Sequence, residues 1–256
     1  MSKEQFKELM KPINKVLFGQ EEVGRNRNER PRFQIRPLEV ILEDLIQIPP
    51  LEWFNYVFGR EPLSGKINEE QRRRYMKEAW ACGCEYAEHI KTEYGSNDPE
   101  TIAKAMGMEV SYPTLPDKTD RILFAEFREP NKIRIFMDAV KKADKYLAKP
   151  EIQAVLKHHV NVSKILLAHE LFHAVEEKYR KEIYTKTERI RLWSIGFLHN
   201  DSQIIVLSEI AAMAFAVALT KFPYSPYILD VFLVYGYSPE EASGIYEEIM
   251  GDVGKN

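Results

Sequence analysis

Apolar residues recur at helical spacing along most of this chain, and the most apolar helical pattern lies between Asn161 and Glu182. Six positions share one face of the predicted helix, at offsets 0, 3, 4, 7, 10 and 11 from the first of them: Val162, Ile165, Leu166, His169, Phe172 and His173. Most other positions between 162 and 175 are apolar as well. The pattern therefore predicts a helix that is buried on nearly all sides, with both histidines facing inward.

Helical periodicity predicts several further helices. A long helix is predicted from about Glu69 to Tyr94. Two short helices are predicted between Pro37 and Gly59, separated at Pro49-Pro50 because proline interrupts the hydrogen bonding of a helix. Later helices are predicted at Ala139–Leu147, Glu151–His158, Ser202–Thr220, Pro226–Val234 and Pro239–Met250.

Strand patterns are confined to the middle of the chain. A short helix that begins at Asp98-Pro99 and stops at Gly107 leads into a predicted strand at 108–112. The β-rich runs Ile122–Phe127 and Lys132–Met137 flank a turn-prone quartet and predict a hairpin. We expect no strands beyond Asp138, so the predicted class is α+β, mainly helical, with a small sheet of about three strands packed on the central helix.

The first part of the chain differs from the rest. Residues 1–18 form an amphipathic pattern, and the polar run 19–31 contains three arginines and three glutamates. We predict an N-terminal helical extension and linker over residues 1–70, followed by one domain with C-terminal helices over residues 71–256.

Composition favours a globular protein. The chain has 256 residues, of which 45% are hydrophobic, and a net charge of −3 that gives no reason to expect a nucleic-acid partner. Cys82 and Cys84 point to different sides of the long helix, so we expect reduced packing residues, not a disulfide. The N-terminus has no apolar signal core, and we expect a cytoplasmic protein without a membrane partner.

The central helix carries the motif H-E-x-x-H as His169, Glu170 and His173. Residues four apart lie on one helix face about a turn apart, so two imidazoles can bind one metal ion beside the carboxylate. The alternative is a pair of core histidines that satisfy each other or backbone carbonyls.

A catalytic zinc site takes three protein ligands, which predicts a third ligand downstream. The candidates are Glu176, Glu177, Glu182, Glu188, His199, Asp201 and Glu209. Glu209 stands out because it is the only charged residue in the 17 residues 204–220, and a buried carboxylate needs a cation. The alternative is a buried glutamate paired with an arginine. Alanines at 211, 212, 214, 216 and 218 would let this helix approach the first one closely.

The pair H-E-L-F-H (169–173) and E-I-A-A-M-A-F-A (209–216) resembles the ImmA/IrrE family of bacterial metallopeptidases, over roughly residues 72–222. The sequence departs from that family at three places. Phe172 replaces a glycine and could narrow the floor of the cleft, and Met213 replaces an asparagine that would orient a metal ligand. A long stretch between His173 and Glu209 adds an insertion, Tyr179–Asn200, that could form a lid or a partner surface.

The resemblance implies a zincin-like fold in which His169, His173 and Glu209 bind zinc and Glu170 is the general base. Zinc lowers the pKa of its bound water toward about 7, and the base accepts the proton of that water. An oxyanion donor is also expected, with Tyr184, His199 and Tyr235 as candidates by residue type. One strand of the 122–137 hairpin would hold the substrate by backbone pairing.

Other polar residues are predicted to lie on the surface. His158-His159 diverge on a helix end, His89 lies on a charged face, and Arg72-Arg73-Arg74 have acidic neighbours, so we assign them no metal or phosphate.

We therefore expect a zinc metallopeptidase that cleaves a protein or peptide substrate, such as a transcriptional repressor. Two alternatives stay open at this point. One is a catalytically inactive interaction module that retains the fold and the metal. The other is a structural metal site closed by a fourth ligand such as His199.

Overall fold

A computed structural model of the protein describes residues 33–114 and 123–253. Eleven helices in this part of the chain are α1 (Leu38–Leu45), α2 (Phe54–Phe58), α3 (Glu69–Tyr94), α4 (Pro99–Ala105), α5 (Met137–Leu147), α6 (Pro150–Leu156), α7 (Val162–Lys178), α8 (Tyr184–Thr187), α9 (Val206–Thr220), α10 (Ile228–Tyr235) and α11 (Pro239–Val253). Five strands are β1 (Glu109–Ser111), β2 (Ala125–Arg128), β3 (Lys132–Ile135), β4 (Ile190–Ile195) and β5 (Leu198–Ser202). The predicted α+β class is confirmed. The predicted segments 1–18 and 19–31 and residue Ile122 lie outside the described residues.

Two short helices precede the long helix, as the proline pair predicts. A 3₁₀ turn at Pro50–Trp53 separates α1 from α2. Leu42, Trp53 and Phe58 are fully buried and belong to the same hydrophobic cluster as the later helices. The described residues before 71 thus share the core with the rest, while the predicted division at residue 70 remains a prediction.

The long helix α3 has the predicted bounds, and local signals explain both ends. The Asn68 side chain accepts a hydrogen bond from the Gln71 backbone N–H, and the Gln71 side chain accepts one from the Asn68 backbone N–H. Gly95 ends the helix at φ +63°, a conformation that glycine adopts without strain. On this helix Cys82 is buried and Cys84 is partly buried, and both are free thiols as predicted.

The small sheet has strand order β1-β3-β2, with β1 parallel and β2 antiparallel to β3. Val110 and Phe127 both pair with Ile133, so β3 is central and β2 is an edge strand among the described strands. The predicted hairpin is confirmed, although its strands are shorter and Met137 already begins α5. Strands β2 and β3 pack on α7, as predicted for the sheet and the central helix.

The prediction that no strands follow Asp138 is wrong. Strands β4 and β5 form an antiparallel hairpin inside the insertion, joined at Gly196 with φ +60°. Four apolar residues of the hairpin tip (residues 193–198) are exposed: Trp193, Ile195, Phe197 and Leu198. Only the base of β4 is buried, at Ile190 and partly at Leu192, so the apolar alternation that reveals a half-buried strand is too short to predict the hairpin.

Candidate metal centre

Helix α7 carries the two histidines and Glu170. The Asn161 side chain caps its first turn by accepting a hydrogen bond from the Lys164 backbone N–H at 3.0 Å. The helix then continues without a break through the apolar positions that the sequence places on its inner face. His169 and Glu170 are buried and the side chain of His173 is 16% exposed, so both histidines face inward as predicted.

Helix α9 brings Glu209 to the same place. The distance from Glu209 Oε2 to His169 Nε2 is 3.2 Å, and that from Glu209 Oε1 to His173 Nε2 is 3.8 Å. The three ligand atoms of this triad, His169, His173 and Glu209, all lie within 4.8 Å of one another. Among the described residues no arginine pairs with Glu209, and the basic side chains close to it are the two histidines.

The donor set of the triad fits a zinc ion. Two imidazoles and one carboxylate form a known catalytic zinc set, and bond lengths of about 2.0–2.1 Å place tetrahedral ligands roughly 3.4 Å apart. The two measured distances between Glu209 and the histidines bracket that value. The same donors also suit other divalent transition metals, so they define a metal site without fixing the ion.

Glu170 gives a second test of the fit. Its side chain is 1% exposed, and Oε1 has no hydrogen-bond partner within residues 33–114 and 123–253. The carboxylate does accept a hydrogen bond from the Phe127 backbone N–H of β2. A buried carboxylate oxygen without a donor is costly, and a water held at the triad would supply one.

Charges around the triad favour a cation. Burial raises the pKa of Glu170, although the two histidines partly offset this effect. Burial also tends to raise the pKa of Glu209, but the nearby His173 and His169 outweigh it and lower that pKa. For His173, burial acts to lower the pKa, but the carboxylates of Glu209, Glu176 and Glu170 raise it to about 9. These carboxylates stabilise a positive charge on His173, and a divalent ion would supply that charge in place of the proton.

The other candidate ligands do not join the triad. Glu176 is buried, but its nearest oxygen is 3.9 Å from His173 Nδ1, the ring nitrogen away from Glu209. Burial would raise its pKa, yet His173 and Lys186 lower that pKa to about 2. His199 is exposed on β5, where Nε2 lies 3.5 Å from Asp201. Within the described chain, the triad is the one group of three such side chains close enough to hold an ion.

The three candidate oxyanion donors are engaged elsewhere. Tyr184 donates its hydroxyl hydrogen to Glu78 at 2.6 Å, and Tyr235 donates to the backbone oxygen of Arg36 at 3.1 Å. His199 lies on the exposed hairpin. The structure therefore assigns none of these side chains to the metal centre.

Phe172 packs against the helix that carries Glu209, and its expected effect on the floor of a cleft stays a prediction. Its side chain is fully buried, and its ring centroid lies 5.6 Å from that of Phe215 on α9. The ring fills the contact between the two helices that carry the triad. Met213 is also buried.

The residues predicted to lie on the surface are exposed or partly exposed. His158, His159 and His89 are exposed, and His89 Nε2 lies 3.0 Å from the Tyr179 hydroxyl. Arg72 is partly buried and donates to backbone oxygens, while Arg73 and Arg74 are exposed.

Glu61 is a site residue that the sequence analysis missed. Its Oε2 accepts hydrogen bonds from the backbone N–H groups of Ile205 and Val206, at 2.8 and 3.2 Å. It therefore caps the N-terminus of α9, the helix that positions Glu209. No local signal could identify a cap that comes from 144 residues earlier in the chain.

Comparisons with known proteins find nothing similar to this chain: no family model, no curated protein and no solved structure matches it. Among the described residues, no helix combines the length and the apolar character needed to cross a membrane.

Proposed function

We propose that this protein is a cytoplasmic zinc metallopeptidase of the ImmA/IrrE type that hydrolyses a peptide bond in a protein partner, such as a transcriptional regulator. One observation carries the proposal. Two histidines of α7 and one glutamate of α9 converge with ligand atoms within 4.8 Å, beside a buried Glu170 oxygen that has no hydrogen-bond partner among the described residues.

His169, His173 and Glu209 would hold the ion in this mechanism. A bound zinc lowers the pKa of water and polarises the substrate carbonyl. Glu170 accepts the proton from the attacking water and passes it to the leaving amine. Burial raises the pKa of Glu170, which makes its carboxylate a better proton acceptor, and the Phe127 N–H holds that carboxylate in place.

Strand β2 is the proposed binding edge for the substrate backbone. It is the edge strand that borders Glu170, because its other side pairs with β3 and its Phe127 N–H hydrogen bonds to the carboxylate. An extended peptide that pairs with β2 would lie along the general base.

Substitution of the general base tests the proposal. We expect Glu170→Gln to retain bound zinc and to cleave a repressor encoded beside this gene about 10²–10⁴-fold more slowly. The measurements are the zinc content of the purified protein and the rate of repressor cleavage.

Glu177→Gln is the matched control, since Glu177 lies on the same helix without joining the triad. Equal cleavage rates for Glu170→Gln and the parent protein would refute the mechanism.

The exposed hairpin favours a second candidate function, an inactive interaction module that retains the metal. Phe197 is 91% exposed and Ile195 is 73% exposed, which is unusual for large apolar side chains in a stable monomer. This alternative predicts bound zinc without hydrolysis. It also predicts partner binding that Glu170→Gln leaves intact and that Trp193→Ser with Phe197→Ser weakens.

A further inference from the structure

Glu176 lies one helical turn after His173, and its buried carboxylate is contacted by two hydroxyl groups and one ammonium group. It is 2% exposed. Its Oε1 accepts from the Thr185 hydroxyl at 2.6 Å, and its Oε2 accepts from the Ser208 hydroxyl at 2.9 Å. The ammonium of Lys186 also lies 2.9 Å from Oε2. These donors hold the carboxylate in one orientation.

Ser208 lies between Glu176 and His173. Its hydroxyl oxygen is 3.3 Å from His173 Nδ1, and its single hydrogen is directed to Glu176. A hydroxyl has one hydrogen and two lone pairs, so toward His173 the oxygen can only accept. The His173 Nδ1–H therefore donates to Ser208, which donates in turn to Glu176.

This chain of hydrogen bonds decides which ring nitrogen of His173 is available to a metal. With its hydrogen on Nδ1, a neutral imidazole has its lone pair on Nε2. That nitrogen faces Glu209, at 3.8 Å from Oε1. The hydrogen bond to Ser208 keeps the hydrogen on Nδ1, and this tautomer leaves the Nε2 lone pair free to bind a metal at the triad.

We propose that Ser208 and Glu176 are positioning residues that hold His173 in its Nδ1–H tautomer with Nε2 directed at the metal; this inference rests on the metal site of the proposed function. Groups that accept a hydrogen bond from a metal-bound histidine fix the orientation of the ring and raise its basicity. Ser208 precedes the ligand Glu209, so one turn of α9 supplies both a ligand and the orienting hydroxyl.

The insertion has a defined part in this arrangement. Thr185 and Lys186 belong to α8, inside Tyr179–Asn200, and both contact Glu176. The insertion therefore supports the metal centre from its outer side. The resemblance leads one to expect an asparagine at position 213, where this chain has Met213. The insertion supplies orienting hydrogen bonds that this methionine cannot make.

Metal affinity tests the proposal without any substrate. We expect Ser208→Ala and Glu176→Gln to bind zinc about 10–100-fold more weakly than the parent protein. Competition with a chelating dye gives the Kd, and the absorption spectrum of the cobalt-substituted protein reports the geometry of the site. Ser208→Thr, which keeps the hydroxyl, should bind zinc nearly as tightly as the parent.

Matched controls separate orientation from a general loss of structure. Ser194→Ala changes an exposed serine of β4, and Glu177→Gln changes the next residue of α7, which also faces Lys186, at 3.5 Å. Both should bind zinc as the parent does. Folded Ser208→Ala and Glu176→Gln variants with parental Kd values and cobalt spectra would overturn the inference.

The parent protein offers a test that needs no variant. Nitrogen-15 spectra of the zinc-bound form should show His173 coordinated through Nε2 and protonated on Nδ1, and coordination through Nδ1 would overturn the inference. If Ser208→Ala weakens zinc binding but the parent protein cleaves no substrate, the proposed peptidase activity is refuted and the positioning role of Ser208 stands. Equal zinc binding by the parent and His173→Ala would refute the metal site on which both depend.

Discussion

At the scale of single residues, Asp230 shows how burial outside the metal centre makes stability depend on pH. Asp230 is buried and accepts a hydrogen bond from the Tyr56 hydroxyl at 2.9 Å. Burial raises the pKa of this carboxyl to about 7, an effect that the nearby Arg60 guanidinium only partly offsets. The folded protein therefore keeps a proton on Asp230 that the unfolded chain has already released above its ordinary pKa of 3.8.

Asp230→Asn should remove the contribution of this group to the pH dependence of stability. In the parent, the contribution of Asp230 to the free energy of unfolding falls as pH rises from about 4 to about 7, because the folded state binds more protons in this range. Above about pH 7 that contribution is constant. The slope reaches about 1.4 kcal/mol per pH unit. Urea unfolding from pH 4 to 8 should show the variant gaining stability relative to the parent up to about pH 7. Parallel curves would contradict the prediction, and Asp144→Asn, at an exposed site, is the control.

The site residues differ in how far the sequence could identify them. His169, Glu170 and His173 follow from the spacing of one helix, which fixes their relative positions locally. Glu209 follows from the cost of a lone charge in an apolar run. Ser208 and Glu61 were missed because a serine in the first turn of a helix and a glutamate in a connecting segment are ordinary, and only their partners, 35 and 144 residues away, distinguish them.

At the scale of secondary-structure elements, α9 makes one close contact that was expected and one that was not. It packs on the central helix α7 as expected, partly through Phe172 and Phe215. It also places Ala211 and Ala214 against Gly83 of α3. A Cβ built at Gly83 would lie 2.1 Å from the backbone oxygen of Ala211. Gly83 is therefore what allows α3 and α9 to meet.

Gly83→Ala should destabilise the protein although it favours the helix. Alanine has a helix propensity about 1 kcal/mol better than glycine, but the added methyl group would force α3 and α9 apart at a cost of roughly 1–3 kcal/mol or more. Thermal unfolding should show a clearly lower Tm. Gly251→Ala is the control, since this helical position of α11 has nothing within 4 Å of an added Cβ and should be neutral or stabilising. A Tm for Gly83→Ala at or above that of the parent would contradict the close contact.

The success of each secondary-structure prediction depended on whether the segment carries local end signals and a buried face. The bounds of α3 were predictable because both its capping box and its terminal glycine are local signals. The hairpin β4–β5 was missed because its tip is exposed and its strands pair mainly with each other. A hairpin that is buried only at the base of one strand leaves too short a periodic pattern to be predicted from the sequence.

At the scale of the whole molecule, the proposed metal joins two helices whose ligands are 36 residues apart in the chain. A ligand that binds only the folded state raises the free energy of unfolding, and the increase grows with the logarithm of the ratio of ligand concentration to Kd. The triad requires both helices in place, so the unfolded chain has no equivalent site. Metal binding and global stability should therefore be linked.

Removal of the metal should lower the Tm. At free zinc about 100 times Kd the expected stabilisation is about 2.7 kcal/mol, which corresponds to a Tm on the order of 5–10 °C higher than after chelation. Calorimetry of the parent with zinc and with a chelator measures this shift. Glu170→Gln should retain it and His173→Ala should lose it. An unchanged Tm on chelation in a parent shown to contain zinc would contradict the linkage.

The sequence by itself determined the helical class of the protein, most helix bounds, the small sheet and the four residues proposed for the chemistry. These features depend on spacing within one element or on the cost of burying a charge, and both can be read along the chain. Tertiary structure alone decided that α9 lies between α3 and α7, that Glu61 caps α9, and that Ser208 and Glu176 orient His173. Such contacts join residues distant in sequence, and the packing that brings them together depends on the whole core at once.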